Sequence, residues 1–194
     1  MKLVSLSLVL VMTSLVSVVS AHEQKYAFDL SGAAEAPPNA SPGTGSALVT
    51  FDLDLVTMRV QADFTGLIGT TTAAHIHCCT VDPGVSTAGV ATVTPTFTGF
   101  PAGVSAGTYD HTFDMTQTAS YNTSFVTANG GTASGALNAI LAGLDAGKAY
   151  FNVHSSSFGG GEIRGFGVLV PEPTSALLTV FGLSVSLLGR RRWA

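Results

Sequence analysis

Apolar and polar residues alternate at every second position over several short segments of this chain, a period that is typical of half-buried β-strands. The clearest segment is 58–64, in which the apolar positions are Met58, Val60, Ala62 and Phe64. Together with residues 47–55 it predicts a hairpin that turns near residues 54–57. Further strands are predicted at residues 26–30, 109–115, 149–154 and 162–170. Many short strands with turn signals between them favour an antiparallel sandwich or barrel.

Two segments between the predicted strands have helical spacing instead. They cover residues 117–128 and 132–144, and Asn129-Gly130-Gly131 separates them. The second segment carries Leu137, Ile140, Leu141 and Leu144 at positions that share one helix face. Residues 83–107 are rich in Gly, Thr and Pro and have no clear period, so the pattern places no strand there. We therefore expect an all-β domain with one or two short helices.

An apolar segment occupies each end of the chain. At the N-terminus, an apolar run over residues 3–19 is followed by Ser20 and Ala21, which complete the small-residue pattern of a secretory cleavage site. We therefore predict a signal peptide over residues 1–21 that is cleaved after Ala21. A permanent transmembrane helix is the alternative. Cleavage would leave His22 with a free amine beside its imidazole, an arrangement that can chelate copper.

The C-terminal end, residues 171–194, has three parts in a fixed order. These are Pro171, Glu172 and Pro173, then an apolar run over residues 176–188, and then Arg190, Arg191 and Arg192. The apolar stretch is shorter than the roughly 20 residues that cross a bilayer comfortably. The arginines would hold its end on the cytoplasmic side.

This order of elements resembles the PEP-CTERM sorting signal of Gram-negative bacteria. The resemblance implies export across the inner membrane and transient insertion of the C-terminal helix, which anchors the protein until an exosortase protease removes it. The processed protein would then reach the cell surface or the extracellular matrix. An ordinary C-terminal anchor helix is the alternative.

Between these ends, residues 22–170 have the length of one domain that can bury its own core. The whole chain has 8 basic and 12 acidic residues, for a formal net charge of −4, and the C-terminal cluster holds three of the basic ones. The body is therefore acidic, and we expect no nucleic-acid partner. Only 10 percent of the residues are charged and 22 are glycine, which suits a secreted all-β domain with many turns.

The chain has two cysteines, and they are adjacent in sequence, Cys78 and Cys79. Adjacent cysteines cannot join distant segments within one chain. They can form a vicinal disulfide, remain two free thiols, form an intermolecular bridge or bind metal. The oxidising compartment that the signal peptide implies argues against long-lived free thiols.

Several pieces of the chain resemble the chordin-type domain, CHRD, which occurs in animal chordins and in many exported bacterial proteins. The matching pieces are residues 32–38 with Gly45, then 64–67, 74–77, 152–154 and 161–165. The resemblance implies a Greek-key antiparallel β-sandwich, distantly similar to copper/zinc superoxide dismutase and flanked here by two hydrophobic targeting helices. It implies no established activity, because the biochemistry of the family is poorly defined and its animal members are linked to growth-factor binding.

His75 and His77 are the clearest candidates for chemistry. They are two residues apart, so on a strand both imidazoles lie on the same face. Paired imidazoles at this spacing can bind a metal ion, and His154 is the candidate for a third ligand. Ligands of this type favour copper or zinc. Further ligands, or side chains that support the ligands, are expected among Cys78, Cys79, Glu162 and Arg164.

The alternative is a metal-free role for the same residues. The histidines would then form a buried polar network with Glu162 and Arg164, which are two apart and would share a face. Such a network would stabilise the edge of the sandwich. His111, on a predicted strand, is expected to be a surface residue rather than a ligand.

From these observations we expect a non-enzymatic exported protein of the cell surface or extracellular matrix, associated with exopolysaccharide in biofilms or with another surface protein. Its partners would include the general secretion machinery and an exosortase. The competing hypothesis is a secreted copper- or zinc-binding protein with redox or hydrolytic activity at His75, His77 and His154.

Overall fold

The domain between the two ends is built from antiparallel β-strands. A computed structural model describes residues 22–171, so the predicted signal peptide with Ala21, and the sorting residues Glu172, Pro173, Arg190, Arg191 and Arg192, lie outside the described residues. The strands are β1 (Glu23–Ser31), β2 (Thr44–Asp52), β3 (Thr57–Thr65), β4 (Thr71–His77), β5 (Gly107–Asp114), β6 (Tyr150–Ser155), β7 (Ile163–Phe166) and β8 (Val168–Leu169).

The helical part of the domain is small. It consists of α1 (Thr123–Ala128), α2 (Ala133–Asp145) and short 3₁₀ turns at Gly32–Ala34 and Thr118–Ser120. The prediction of a mainly β domain with one or two short helices is therefore confirmed. Within residues 22–171, no helix has the length and apolar character needed to cross a membrane.

The strands form one curled sheet in the order β4-β6-β7-β1-β2-β3-β5, and β8 pairs with β1 beside this path. Every pairing is antiparallel. β2 pairs along its whole length with β1 on one side and with β3 on the other, whereas β1 and β7 share only Ser31 opposite Arg164. The sheet therefore consists of a long ladder, β1-β2-β3-β5, and a shorter ladder, β4-β6-β7.

The hydrophobic core lies between the two ladders. The alternating residues of β3 are buried as the pattern predicts, with Met58 and Val60 fully enclosed. Phe97 comes from the segment in which the pattern placed no strand, and its ring lies 5.4 Å from that of Phe113 in β5 and 5.6 Å from that of Phe151 in β6. This loop residue therefore joins aromatic side chains from both ladders.

The element boundaries differ from the sequence pattern at two places. Helix α1 begins only after Asn122, whose side-chain oxygen accepts a hydrogen bond from the Ser124 N–H, so the first part of the predicted helix 117–128 is a 3₁₀ turn. The predicted strand 162–170 is divided into β7 and β8 at Gly167. There α2 packs so closely that a Cβ would lie 2.7 Å from Leu144.

Candidate metal centre

One face of the β4-β6-β7 ladder carries the histidines. Because side chains alternate along β4, His75 and His77 lie on the same face, while Ile76 between them is buried in the core. In the register of β4 and β6, His154 lies opposite Ala73, two residues before His75. The expected common face of His75 and His77 is present, and β6 brings His154 next to it.

The three imidazoles converge on one another. One nitrogen of each lies within 4.8 Å of the others, and the ring centres are 4.7 to 5.8 Å apart. Nitrogens about 2.0 to 2.1 Å from a common ion are at most about 4 Å apart. Three nitrogens bound to a tetrahedral ion at this distance are about 3.4 Å from one another, so binding would require pairs of nitrogens to approach by up to about 1.4 Å.

Each imidazole has one buried nitrogen without a hydrogen-bond partner. These atoms are Nδ1 of His75 and Nε2 of His77 and His154. The other nitrogens of His77 and His154 are used, because each Nδ1 donates to a backbone carbonyl, that of Ala88 at 2.8 Å and that of Gly159 at 3.0 Å. A carbonyl only accepts, so the proton is on Nδ1 and Nε2 keeps a lone pair. Histidines that bind metals are commonly held in this way.

The environment keeps the three imidazoles uncharged. Burial, with smaller contributions from His154 and His77, lowers the pKa of His75 to about 3. Burial also lowers the pKa of His77 to about 4, although the hydrogen bond to Ala88 opposes the change. The pKa of His154 is lowered by burial as well. Neutral imidazole is the form that binds metal, so near pH 7 no proton competes for the lone pairs.

The segment that contains the three histidines matches a known domain family. The CHRD domain family matches the chain over residues 26–166. The chain belongs to the CHRD domain family. The match covers most of β1 and all of β2 to β7, and it includes the three histidines of this CHRD domain. No curated protein and no solved structure matches the chain at a significant level.

The two cysteines of the CHRD domain are bonded to each other. The Cys78–Cys79 disulfide follows directly after β4. Its sulfurs lie 3.8 and 3.6 Å from the carbonyl oxygen of Ala139 in α2, and a Cβ at Gly143 would overlap both of them. Of the four states considered for the pair, the structure shows the vicinal disulfide. In this state the cysteines offer no thiolate to a metal.

Glu162 is buried and already saturated with hydrogen bonds. Its Oε1 accepts from the Ser41 hydroxyl at 2.6 Å and the Ile68 N–H at 2.5 Å, and its Oε2 accepts from the Gly69 N–H at 3.2 Å and from the Ser155 hydroxyl. Burial acts to raise the pKa of Glu162, but these bonds lower it below its ordinary value. Within residues 22–171 no hydrogen bond links Glu162 to a histidine, so its role is to join loops.

Arg164 supports the centre indirectly. Its Nε donates to the carbonyl of Ala34 at 2.5 Å, and an Nη atom donates to the carbonyl of Ser86 at 2.8 Å. The guanidinium carbon lies 4.8 Å from the centre of the Tyr150 ring. His77 stacks on the same ring, with 4.7 Å between centres and an angle of 4° between planes. Glu162 and Arg164 thus bind different partners. Among the described residues, neither side chain forms a direct hydrogen bond to a histidine, as the predicted polar network would require.

Glu35 belongs to the same polar region but was not among the predicted site residues. It is 7 percent exposed, and its Oε2 lies 3.8 Å from Nε of Arg164. Its Oε1 has no hydrogen-bond partner, and neither has Oδ1 of Asn152. The signal in the sequence was a single acidic residue within the CHRD motif at 32–38. Nothing in the local pattern showed that this carboxyl is buried.

The remaining candidates lie away from the three-histidine cluster. His111 is only partly exposed, since its ring packs 4.6 Å from that of Phe113 on the core side of β5, and it is not part of the cluster. His22 is exposed, and its Nδ1 lies 3.3 Å from Asp54. Pro171 is exposed at the end of the described residues.

One motif of serine hydrolases occurs in the chain without its structural context. Residues 103–107 fit the Gly-x-Ser-x-Gly pattern, in which the serine lies on a sharp turn between a strand and a helix. Ser105 instead lies exposed in the loop that leads into β5, and no helix follows it. The motif therefore gives no support to hydrolase activity.

Proposed function

We propose that this CHRD domain binds a zinc or copper ion through His75, His77 and His154. The observation that carries the proposal is that the three imidazoles converge on one another and that each has a buried nitrogen without a hydrogen-bond partner. A buried polar atom without a partner costs about 1 to 3 kcal/mol. A cation would satisfy three lone pairs at once, whereas a hydrogen-bond donor would satisfy one.

The chemistry of the ligand set supports these two metals. Imidazole nitrogens suit zinc and copper, and carboxylates, which magnesium and calcium need, are absent from the described three-residue cluster. The hydrogen bonds of His77 and His154 to backbone carbonyls would fix the ring orientations before the ion arrives. Three protein ligands leave a fourth position for water or another group, which supports the redox or hydrolytic alternative.

Calorimetric titration of the purified, metal-free protein with Zn(II) and with Cu(II) tests the proposal. We expect one ion per chain at this site. Replacing one histidine, as in His75→Gln or His154→Gln, should weaken binding by at least the roughly 10- to 100-fold that loss of a supporting residue costs. His111→Gln is the matched control and should bind as the wild type does. Binding that is absent, or equal in all four proteins, would refute the proposal.

We also propose that the protein is exported and acts at the cell surface or in the extracellular matrix, where it associates with exopolysaccharide or another surface protein. The two apolar ends, the Pro171-Glu172-Pro173 marker and the arginine cluster support export and sorting by an exosortase. The low content of charged residues is in keeping with an extracellular domain. A Greek-key sandwich similar to copper/zinc superoxide dismutase remains our proposal for the finer description of the fold.

A further inference from the structure

We propose that Glu35 and Arg164 form a charge-compensating pair beside the metal centre, and that ionised Glu35 is required for tight binding of a divalent cation there. The inference rests on the proposed metal site and adds a residue that regulates it. Glu35 would act through Arg164 and not as a ligand, so it is a positioning residue.

The position of the pair supports this role. Glu35 and Arg164 are both almost fully buried, with 3.8 Å between Oε2 and Nε. The Arg164 guanidinium and the His77 imidazole lie against the same Tyr150 ring. Arg164 also acts electrostatically on His77, whose pKa it helps to lower. An uncompensated guanidinium at this place would therefore repel a metal cation, and water would screen the repulsion only weakly.

Glu35 has a second partner available when it is protonated. Oε1 of Glu35 and Oδ1 of Asn152 both lack hydrogen-bond partners. Each would lie 2.6 Å from a Cβ placed on Gly161, so the two oxygens are at most about 5 Å apart. A protonated Glu35 can donate to the Asn152 oxygen after a small adjustment, whereas an ionised Glu35 compensates Arg164. The Glu35–Arg164 pair therefore has a net charge of +1 when Glu35 is protonated and of zero when Glu35 is ionised.

The groups around Glu35 allow these states to exchange near neutral pH. Burial raises the pKa of Glu35 to about 7, although Arg164 of β7 opposes the change. His75, His77 and His154 lie on the neighbouring strands β4 and β6, and burial lowers the pKa of all three. Asn152 of β6 is uncharged, and segments 36–39 and 158–161 contain no titratable side chain.

The coupling between metal binding and ionisation of Glu35 determines whether metal affinity increases or decreases with pH. A bound dication favours the ionised carboxyl, so metal binding should lower the pKa of Glu35 and release its proton. By the same coupling, metal affinity should increase as the pH rises through 7. We expect an increase of at least about tenfold between pH 6 and pH 8 from this pair.

Calorimetry of Zn(II) binding at pH 6, 7 and 8, in buffers of different ionisation enthalpy, measures both affinity and proton release. Glu35→Gln retains a donor for Asn152 but cannot ionise, so it should bind zinc more weakly at pH 8, depend less on pH and release fewer protons than the wild type. Glu35→Asp should restore part of the pH dependence. Glu23→Gln, which alters a carboxylate paired with Lys25 on β1, is the matched control and should behave as the wild type does.

The outcomes separate the two proposals. Zinc binding with the same pH dependence and proton release in wild type and Glu35→Gln overturns the role of Glu35 and leaves the metal site intact. Absence of zinc binding to the wild type overturns both. If Glu35→Gln does not fold, the carboxyl ¹³C shift of Glu35 in the wild type decides the matter. Its titration midpoint should fall when zinc is added, and an unchanged midpoint overturns the inference.

Discussion

Buried, neutral imidazoles make the metal-free domain sensitive to acid. Burial lowers the pKa of His75 to about 3 and that of His77 to about 4, whereas histidines in the unfolded chain titrate near 6.5. The unfolded chain therefore binds more protons between these values. The stabilising contribution is present above pH 6.5 and is lost as the pH falls through about 4 for His77 and about 3 for His75.

Glu35 changes stability in the opposite direction. Its pKa is raised from 4.5 to about 7 by burial, so the folded state binds more protons between these values. This contribution is present below pH 4.5 and is lost as the pH rises through 7. The histidines and Glu35 therefore oppose each other in the range between pH 6 and pH 4.5.

Between pH 6 and pH 4.5, the loss of stability from titration of His75 and His77 exceeds the gain from titration of Glu35. We predict that the free energy of unfolding of the metal-free protein falls by about 1 kcal/mol per pH unit from pH 6 to pH 4.5. Urea unfolding in the presence of a chelator measures this decline. Glu35→Gln should make it steeper, because the substitution removes the opposing titration. A wild-type stability that does not change over this range would contradict the prediction.

Helix α2 packs closely against the sulfurs of Cys78 and Cys79 after the end of β4. Gly143 lies inside the helix, where alanine is normally favoured over glycine by about 1 kcal/mol. A Cβ at this position would overlap the sulfurs of Cys78 and Cys79. The contact therefore favours glycine at a place where helix propensity favours alanine.

We predict that Gly143→Ala destabilises the domain by about 1 to 3 kcal/mol, because the overlap forces α2 away from β4. Asn138→Ala, at an exposed position of the same helix, is the control and should be neutral or slightly stabilising. Thermal or denaturant unfolding of the three proteins tests the difference. If Gly143→Ala is as stable as Asn138→Ala, the close contact between Gly143 and the two sulfurs does not restrict this position to glycine.

The elements that the sequence predicted are those with a local signal. The alternation of β3 and the spacing of α2 depend on neighbouring residues, and both were correctly placed. The pairing of His75 with His77 needed only the period of a strand. Phe97 and Glu35 could not be placed, because their burial depends on segments far away in sequence. Backbone carbonyls such as that of Ala88, which orient the histidines, carry no side-chain signal at all.

At the scale of the whole molecule, the two ends lead to a prediction about processing. The apolar stretch after Pro173 is short for a stable membrane span and ends in arginines. We predict that mass spectrometry of the protein from its native host finds an N-terminus at His22 and a C-terminus between residues 171 and 174. Most molecules retaining Trp193 and Ala194 would show instead that the tail is a permanent anchor or is not processed.

The carboxylate of Glu162 has a consequence for how the protein can be produced. It holds Ser41, Ile68, Gly69 and Ser155 together, so it connects positions up to 121 residues apart. Secreted domains often make such long-range connections with disulfides. Within residues 22–171 the one disulfide joins neighbours and encloses almost no chain. Folding of this domain should therefore require no oxidative folding catalyst, and a reducing bacterial cytoplasm should yield the native fold.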